Sequence, residues 1–236
     1  SPGTSGTVTL SDAVVLGATV AIDTTNGGAG NPAGNTVTFS AGVDPTTAGV
    51  EGLSIDGGSS GAVTVTNAAG GTGSELGGFT ISEAGQIEVD SVFADGGDIS
   101  AQVTGGTIDL NGTSYQTTGS GAITFTGPVR LDAGGAAVTV QSAGGGGDDI
   151  SFTSTVTDIN AADSLELNAN NGAAAAGGAA VSVGGDIGNG TNDPTSVTVS
   201  GADTVSLASV YATEGPISVL ANGITPSGAT DEITTG

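Results

Sequence analysis

Two Asp/Asn strings hold the residues of this chain best equipped for chemistry. Asp158, Asn160 and Asp163 form D-x-N-x-x-D, and Asp186, Asn189, Asn192 and Asp193 lie together in GGDIGNGTND. Oxygen-bearing side chains at short intervals in a Gly-rich turn suit a hard cation such as Ca²⁺, which collects about six to eight oxygens from carboxylates, amides and backbone carbonyls. The candidate metal ligands are therefore Asp158, Asn160, Asp163, Asp186, Asn189 and Asp193, with Ca²⁺ as the cofactor they would hold. Neither string is an EF-hand loop or a Ca²⁺-roll nonapeptide. The same residue types also cap loop corners as Asx-turns without any metal, and both readings stay open on sequence alone. Asp148 and Asp149 read as a solvated turn.

Catalysis has little to draw on. The chain has no His and no Cys, and its single basic residue, Arg130, sits in GPVRLD, where its head can pair with Asp132 as a surface ion pair. Asp90, Asp95 and Asp98 contain a conceivable carboxylate pair of the kind that protonates a leaving oxygen. In a second copy of the segment the aligned residues are Ala208, Thr213 and Pro216, so the fold does not depend on those acids. No enzymatic activity is expected. Aromatic platforms for a sugar reduce to Phe93, Tyr115 and Tyr211, and the first and last of these occupy equivalent repeat positions, which packing explains. Thr-x-Thr strings at 7–9 and 64–66 suggest a hydroxyl ladder of the ice-binding kind, but they keep no regular register along the chain. The sequons at Asn111 and Asn189 read equally well as turns.

Charge narrows the partners. Against 24 acidic residues stands one basic residue, a formal charge of −23. Nucleic acid is excluded as a partner, because phosphate binding rests on Lys and Arg. An anionic membrane surface repels such a chain, and no apolar run approaches the roughly 18 residues of a membrane helix. No signal-peptide pattern follows Ser1. The acidic balance suits a salt-rich or Ca²⁺-containing extracellular medium.

The elements that must position these residues are short strands. Stretches such as TVTL (7–10), TVAI (19–22), TVTF (36–39), AVTVT (62–66), IEV (87–89), IDL (108–110), AITF (122–125), ISF (150–152), LEL (165–167), VTV (197–199) and VSL (205–207) alternate apolar with polar residues, one face inward and one in water. Gly-rich segments punctuate them, with Gly and Asn supplying the positive-φ positions of tight corners. Ala173–Ala176, flanked by glycines, reads as a loop and not a helix. The core is aliphatic and thin, with five Phe, two Tyr and no Trp or Met.

The chain also repeats itself. Phe79–Ser100 matches Val197–Ser218 at an offset of 118, with nine of 22 positions identical and no gap. SGTVTL from Ser5 answers SGAITF from Ser120, VTFSAGV from Val37 answers ISFTSTV from Ile150, and VTV from Val63 answers VSV from Val181. Strand-like segments that stay in order while connections change length are the behaviour of stacked units with solvent-facing loops. The expected fold is all-β, a right-handed parallel β-helix (β-solenoid), built of a first repeat unit at 1–118 and a second at 119–236 that ends in a tail. The alternative is two tandem β-sandwich modules of antiparallel sheets.

The strings SGAITFTGPVRL (120–131), DDISFTSTV (148–156), SLELNAN (164–170) and SVTVSGADTVSLASVYATEGPISV (196–219) resemble the repeats of large bacterial surface proteins of the filamentous-haemagglutinin and autotransporter-adhesin type. That resemblance implies a secreted, cell-surface location, a long β-helix, and a role in adhesion, aggregation or a biofilm matrix. The expected function is a structural or adhesive filament segment whose partners are copies of itself or adjacent repeats, with surface glycans as a further partner. A carbohydrate-binding or carbohydrate-cleaving β-helix and a strand-donating pilin-like module are the alternatives.

Overall fold

The computed structural model describes residues 6–27, 32–143, 145–159, 162–169, 178–226 and 233–235. Among them no helix occurs and every strand pairing is parallel. Parallel pairing excludes the tandem sandwiches, whose sheets are antiparallel, and gives the all-β parallel solenoid that the strand pattern predicts.

The chain winds through three faces in strict rotation. The first face stacks Val8–Leu10, Val37–Phe39, Ala62–Val65, Gln86–Val89, Ile108–Leu110, Val129–Leu131 and Val156–Asp158, then continues through the bridge residue Ile187 to Val210–Ala212 and Ile233–Thr235. The second runs from Val14–Leu16 through Val43–Pro45, Ala69, Val92–Asp95, Ser114–Thr118 and Ala137–Gln141 to Ser164–Asn168. The third holds Val20–Asp23, Leu53–Asp56, Phe79–Ala84, Ile99–Val103, Ile123–Thr126, Ile150–Phe152 and Ala180–Val183. In the eighth turn one strand, Val197–Leu207, covers both the second and third faces; Gly201 at φ 70° and a register shift between Val199 and Ala202 replace the corner loop. Ile217–Pro226 repeats that path one turn later. VTV and VSL, which read as two strands in the sequence, are thus two halves of one.

The described residues make nine complete turns, each advancing about 4.8 Å along the axis. Turn length varies with the loops. Ile87, Ile108 and Val129 follow one another at 21 residues, whereas Val156 and Ile187 are 31 apart. Short turns need glycine where backbones meet: a Cβ on Gly106 would lie 1.8 Å from the carbonyl oxygen of Gly85 in the turn before. No substituted residue fits there.

Inward positions build three aliphatic columns. Val63, Ile87, Ile108, Val129 and Val156 line the first face, and Phe79, Ile99, Ile123, Ile150 and Val181 the third, all essentially sealed from water. Each such side chain contributes about 1.5–3 kcal/mol of burial. The aromatic residues cluster in the middle: Phe125 packs edge-on against Tyr115 with centroids 6.1 Å apart, and against Phe152 at 5.1 Å.

The stack also explains the sequence repeat. Val8 and Ile123, Val37 and Ile150, Val63 and Val181, and Phe79 and Val197 are each fourteen strand positions apart. Fourteen positions are four turns and two thirds, so the second copy of every motif lies one face away from the first. The ladders run through residues 118 and 119 without a break, the strand Ser114–Thr118 pairing with Ala137–Gln141 and Ile99–Val103 with Ile123–Thr126.

Candidate functional site

Backbone amides in a corner loop must find acceptors, and in the later turns aspartates supply them. Asp163, fully buried, accepts from Ala133 N–H at 2.9 Å on Oδ2, and from Gly135 and Ala136 N–H at 2.6 and 3.0 Å on Oδ1. Its own N–H donates to Asp158 Oδ2 at 2.8 Å, and its carbonyl accepts from Thr195 N–H and Oγ1. One residue, through its carboxylate and its backbone carbonyl, thereby ties together the corner loops of three successive turns. Asp193 Oδ1 accepts Asn189 and Gly190 N–H, both at 2.7 Å, while Asn189 Oδ1 accepts Thr191 and Asn192 N–H. Asp186 Oδ1 reaches Ser209 N–H in the next turn at 3.1 Å.

The structure therefore brings Asp158 and Asp163 together and stacks the Asn189–Asp193 loop on them, where Asp158 N–H donates to Asn192 O. Asp186 lies on the strand side of that loop. Asn160 is outside the described residues. The donors facing these carboxylates are amides, the arrangement of an anion nest. Among the described residues no three acidic groups converge on a point where a cation could sit. Asp148 is also not a solvated turn residue. It is buried, with Oδ1 accepting Gly121 N–H and Oδ2 accepting Gly145 N–H, because the preceding turn presses on it.

A second polar group occupies the outside of the first face. The middle residues of Ala62–Val65, Gln86–Val89, Ile108–Leu110 and Val129–Leu131 stack as Thr64, Glu88, Asp109 and Arg130. Arg130 pairs with Asp109 in the turn below, not with Asp132: Nε donates to Oδ1 at 2.7 Å and Nη2 to Oδ2. Sequence neighbours on one strand point to opposite faces or along it, whereas the parallel register puts residues 21 apart side by side. The Asp109 bond, with further attraction from Asp132 and Glu88, pushes the Arg130 pKa up and keeps the guanidinium charged. Asp109 also accepts from Thr107 Oγ1 and Gln86 Nε2. The sequence reading passed over Gln86, Thr107 and Asp109. The signal was there in QIEV (86–89), TIDL (107–110) and PVRL (128–131), three four-residue blocks at a spacing of 21.

The remaining candidates disperse. Asp90 Oδ1 accepts Ser91 N–H and Asp98 Oδ1 accepts Ala122 N–H, two separate corner caps. Tyr115 is no sugar platform: it is sealed in the core, its hydroxyl donating to Val89 O at 2.8 Å and accepting from Gly112 N–H at 3.0 Å. Burial, with Asp90 nearby, holds its phenol far above the ordinary value of 10.0. Phe93 and Tyr211 are half-buried on the second and first faces respectively and share no surface. The outside of the third face carries a hydroxyl column, Thr80, Ser100, Thr124, Ser151, Ser182 and Ser206, with Ser182 Oγ donating to Ser151 Oγ at 3.2 Å. Unequal turn lengths hid this register from the sequence.

The ends differ from the middle. Nine partly buried apolar side chains pack against the core; eight of them, Val8, Leu10, Val14, Val20, Ile22, Ile217, Val219 and Ala221, belong to the first or the ninth turn. Ile224 on the ninth turn is 58% exposed although it stacks in register on the buried Val205. No protein-family model, no curated protein and no solved structure matches the chain.

Proposed function

We propose that this chain is a structural segment of an extracellular, cell-surface or matrix filament, extended by stacking of one solenoid end on the next. The observation that carries this reading is the state of the two end turns. Among the described residues the first-turn strands and the ninth-turn strand Ile217–Pro226 pair on one edge only, and eight of the apolar side chains of these two turns are half-covered. A further turn, from adjacent repeats or from a second copy, would complete both the ladder and the core. The acidic exterior keeps the sides of such rods apart while the nearly uncharged core edges meet. The role in this reading is mechanical and adhesive. Surface glycans are a secondary partner, and the hydroxyl column on the third face supports that.

Light scattering at rising protein concentration and salt tests the proposal. Stepwise growth in mass at high salt, suppressed by Ile224→Lys and by Val14→Lys in otherwise folded protein, is the expected result. A mass of one chain at every concentration and ionic strength would overturn it.

A further inference from the structure

Gln86, Thr107 and Asp109 meet where the fourth turn lies on the fifth. Ile87 N–H donates to Thr107 O at 3.0 Å, which sets the two strand starts side by side. Thr107 Oγ1 lies 3.0 Å from Gln86 Nε2 and 3.3 Å from Gln86 Oε1. Those two atoms straddle the carboxamide carbon, so the hydroxyl oxygen lies near the amide plane about 3.5 Å from Cδ, at the separation of a reacting pair, and a turn of the carboxamide about Cγ–Cδ brings its face to the hydroxyl. Asp109 Oδ1 accepts the Thr107 hydroxyl proton at 2.9 Å, and Oδ2 of the same carboxylate accepts from Gln86 Nε2 at 3.0 Å. Thr107 N–H donates to Gln86 Oε1 at 3.2 Å. The partners fix the amide orientation, since Oε1 faces a donor and Nε2 faces a carboxylate.

Two further features hold this arrangement still. Asp109 is buried and gripped through both oxygens by Arg130. The stacked Gly85 and Gly106, too close for any side chain, press the two turns together immediately before Gln86 and Thr107.

We propose that Thr107 and Gln86 close an intramolecular ester cross-link between adjacent turns. Once the carboxamide has turned its face to the hydroxyl, Thr107 Oγ1 attacks Gln86 Cδ while Asp109 takes the hydroxyl proton, and the developing charge on Oε1 is met by Thr107 N–H. Asp109, already bonded to Nε2, returns that proton to the nitrogen as the Cδ–Nε2 bond breaks, and ammonia leaves. One C–O bond forms and one C–N bond breaks, with the carboxylate regenerated and no oxidant, reductant or co-reactant consumed. Both reacting side chains are half-buried, so ammonia escapes to solvent while the packed turns restrict water at the ester. The result is a covalent staple between turns of a chain that has no cysteine to make a disulfide. It holds whether or not the solenoid stacks end to end.

Intact-mass measurement of the purified, denatured protein tests it, followed by non-tryptic digestion and hydroxylamine treatment. The expected mass is that of the sequence less one ammonia, with a branched peptide joining residues 86 and 107 that hydroxylamine separates. Thr107→Ser keeps the deficit. Thr107→Val and Asp109→Asn lose it, each checked for the wild-type circular dichroism so that failure to fold is distinguished from failure to react. Folded wild-type protein at the full sequence mass would overturn the proposal. So would a deficit that persists in Thr107→Val, which would place the lost ammonia at an Asn–Gly succinimide such as Asn111–Gly112 or Asn189–Gly190.

Discussion

The middle turns and the end turns are made from the same strand pattern, yet only the middle is sealed. Ile87, Ile108, Val129 and Val156 are covered because a neighbour lies above and below each of them; Val8 and Ile217 occupy comparable inward positions and are half-exposed, with a neighbour on one side only among the described residues. In a solenoid a turn contributes little alone, and its stability comes from the two interfaces it shares. The middle therefore carries most of the fold's stability, and the ends are where the proposed extension would act.

That contrast predicts a gradient of mutational effects. Phe125→Ala, in the aromatic stack with Tyr115 and Phe152, should cost about 3–5 kcal/mol in urea unfolding. Val219→Ala, on the half-covered ninth turn, should cost well under about 1 kcal/mol. Equal costs would mean that the ends are buried as deeply as the middle. Next in size is Asp163→Ala, which takes a buried acceptor away from three amides of a partly exposed corner loop and should cost about 1–3 kcal/mol. A change no larger than that of an exposed Asp would remove the aspartate-tied corner from this account.

Alkali should act through the middle. Because the folded Tyr115 phenol is held above its ordinary value, its contribution is intact below pH 10.0 and is lost as pH rises further, when the unfolded chain ionises and the folded chain does not. Absorbance of phenolate near 295 nm should show Tyr115 ionising only together with unfolding, and Tyr115→Phe should remove that step. Acid acts at an end. The Asp23 carboxylate is held below the ordinary 3.8, chiefly by the Thr25 hydroxyl and then by the N–H groups of Thr25 and Gly27. A depressed value adds stability above pH 3.8 that disappears as pH falls through the folded value, so the first-turn corner should loosen below pH 3.8, which hydrogen exchange at Thr25 and Gly27 would show. The smallest expected effect is that of Ca²⁺. With Asp163, Asp193 and Asn189 turned to amides, millimolar calcium and chelator should give the same melting temperature; a rise with calcium would restore these loops as a metal site.

Much of the fold was legible because inward alternation is a property of each strand alone. TVTF, IEV, ITF and VTV announce themselves, and so did the glycine corners. Among the strands that escaped notice, Val43–Pro45, Val129–Leu131 and Val156–Asp158 are three residues long and carry Pro, Asp or Arg; they are strands because a neighbouring turn offers a ladder, which no local pattern records. The same cause hid the polar contacts. Arg130 finds Asp109 and not Asp132, Gln86 finds Thr107, and Asp163 finds Gly135, all across turns. The repeat itself was visible, but its period of fourteen strands is not a whole number of turns, so it said that units stack without saying what stacks on what.

Cryo-electron microscopy of concentrated protein at high salt tests the central claim, that solenoid ends extend one another, most directly. The account predicts rods longer than one nine-turn stack, with the strand spacing of about 4.8 Å running unbroken across the junctions and Ile224 buried at each. Particles that stay one stack long, or that associate through their sides with the ends free, would contradict it.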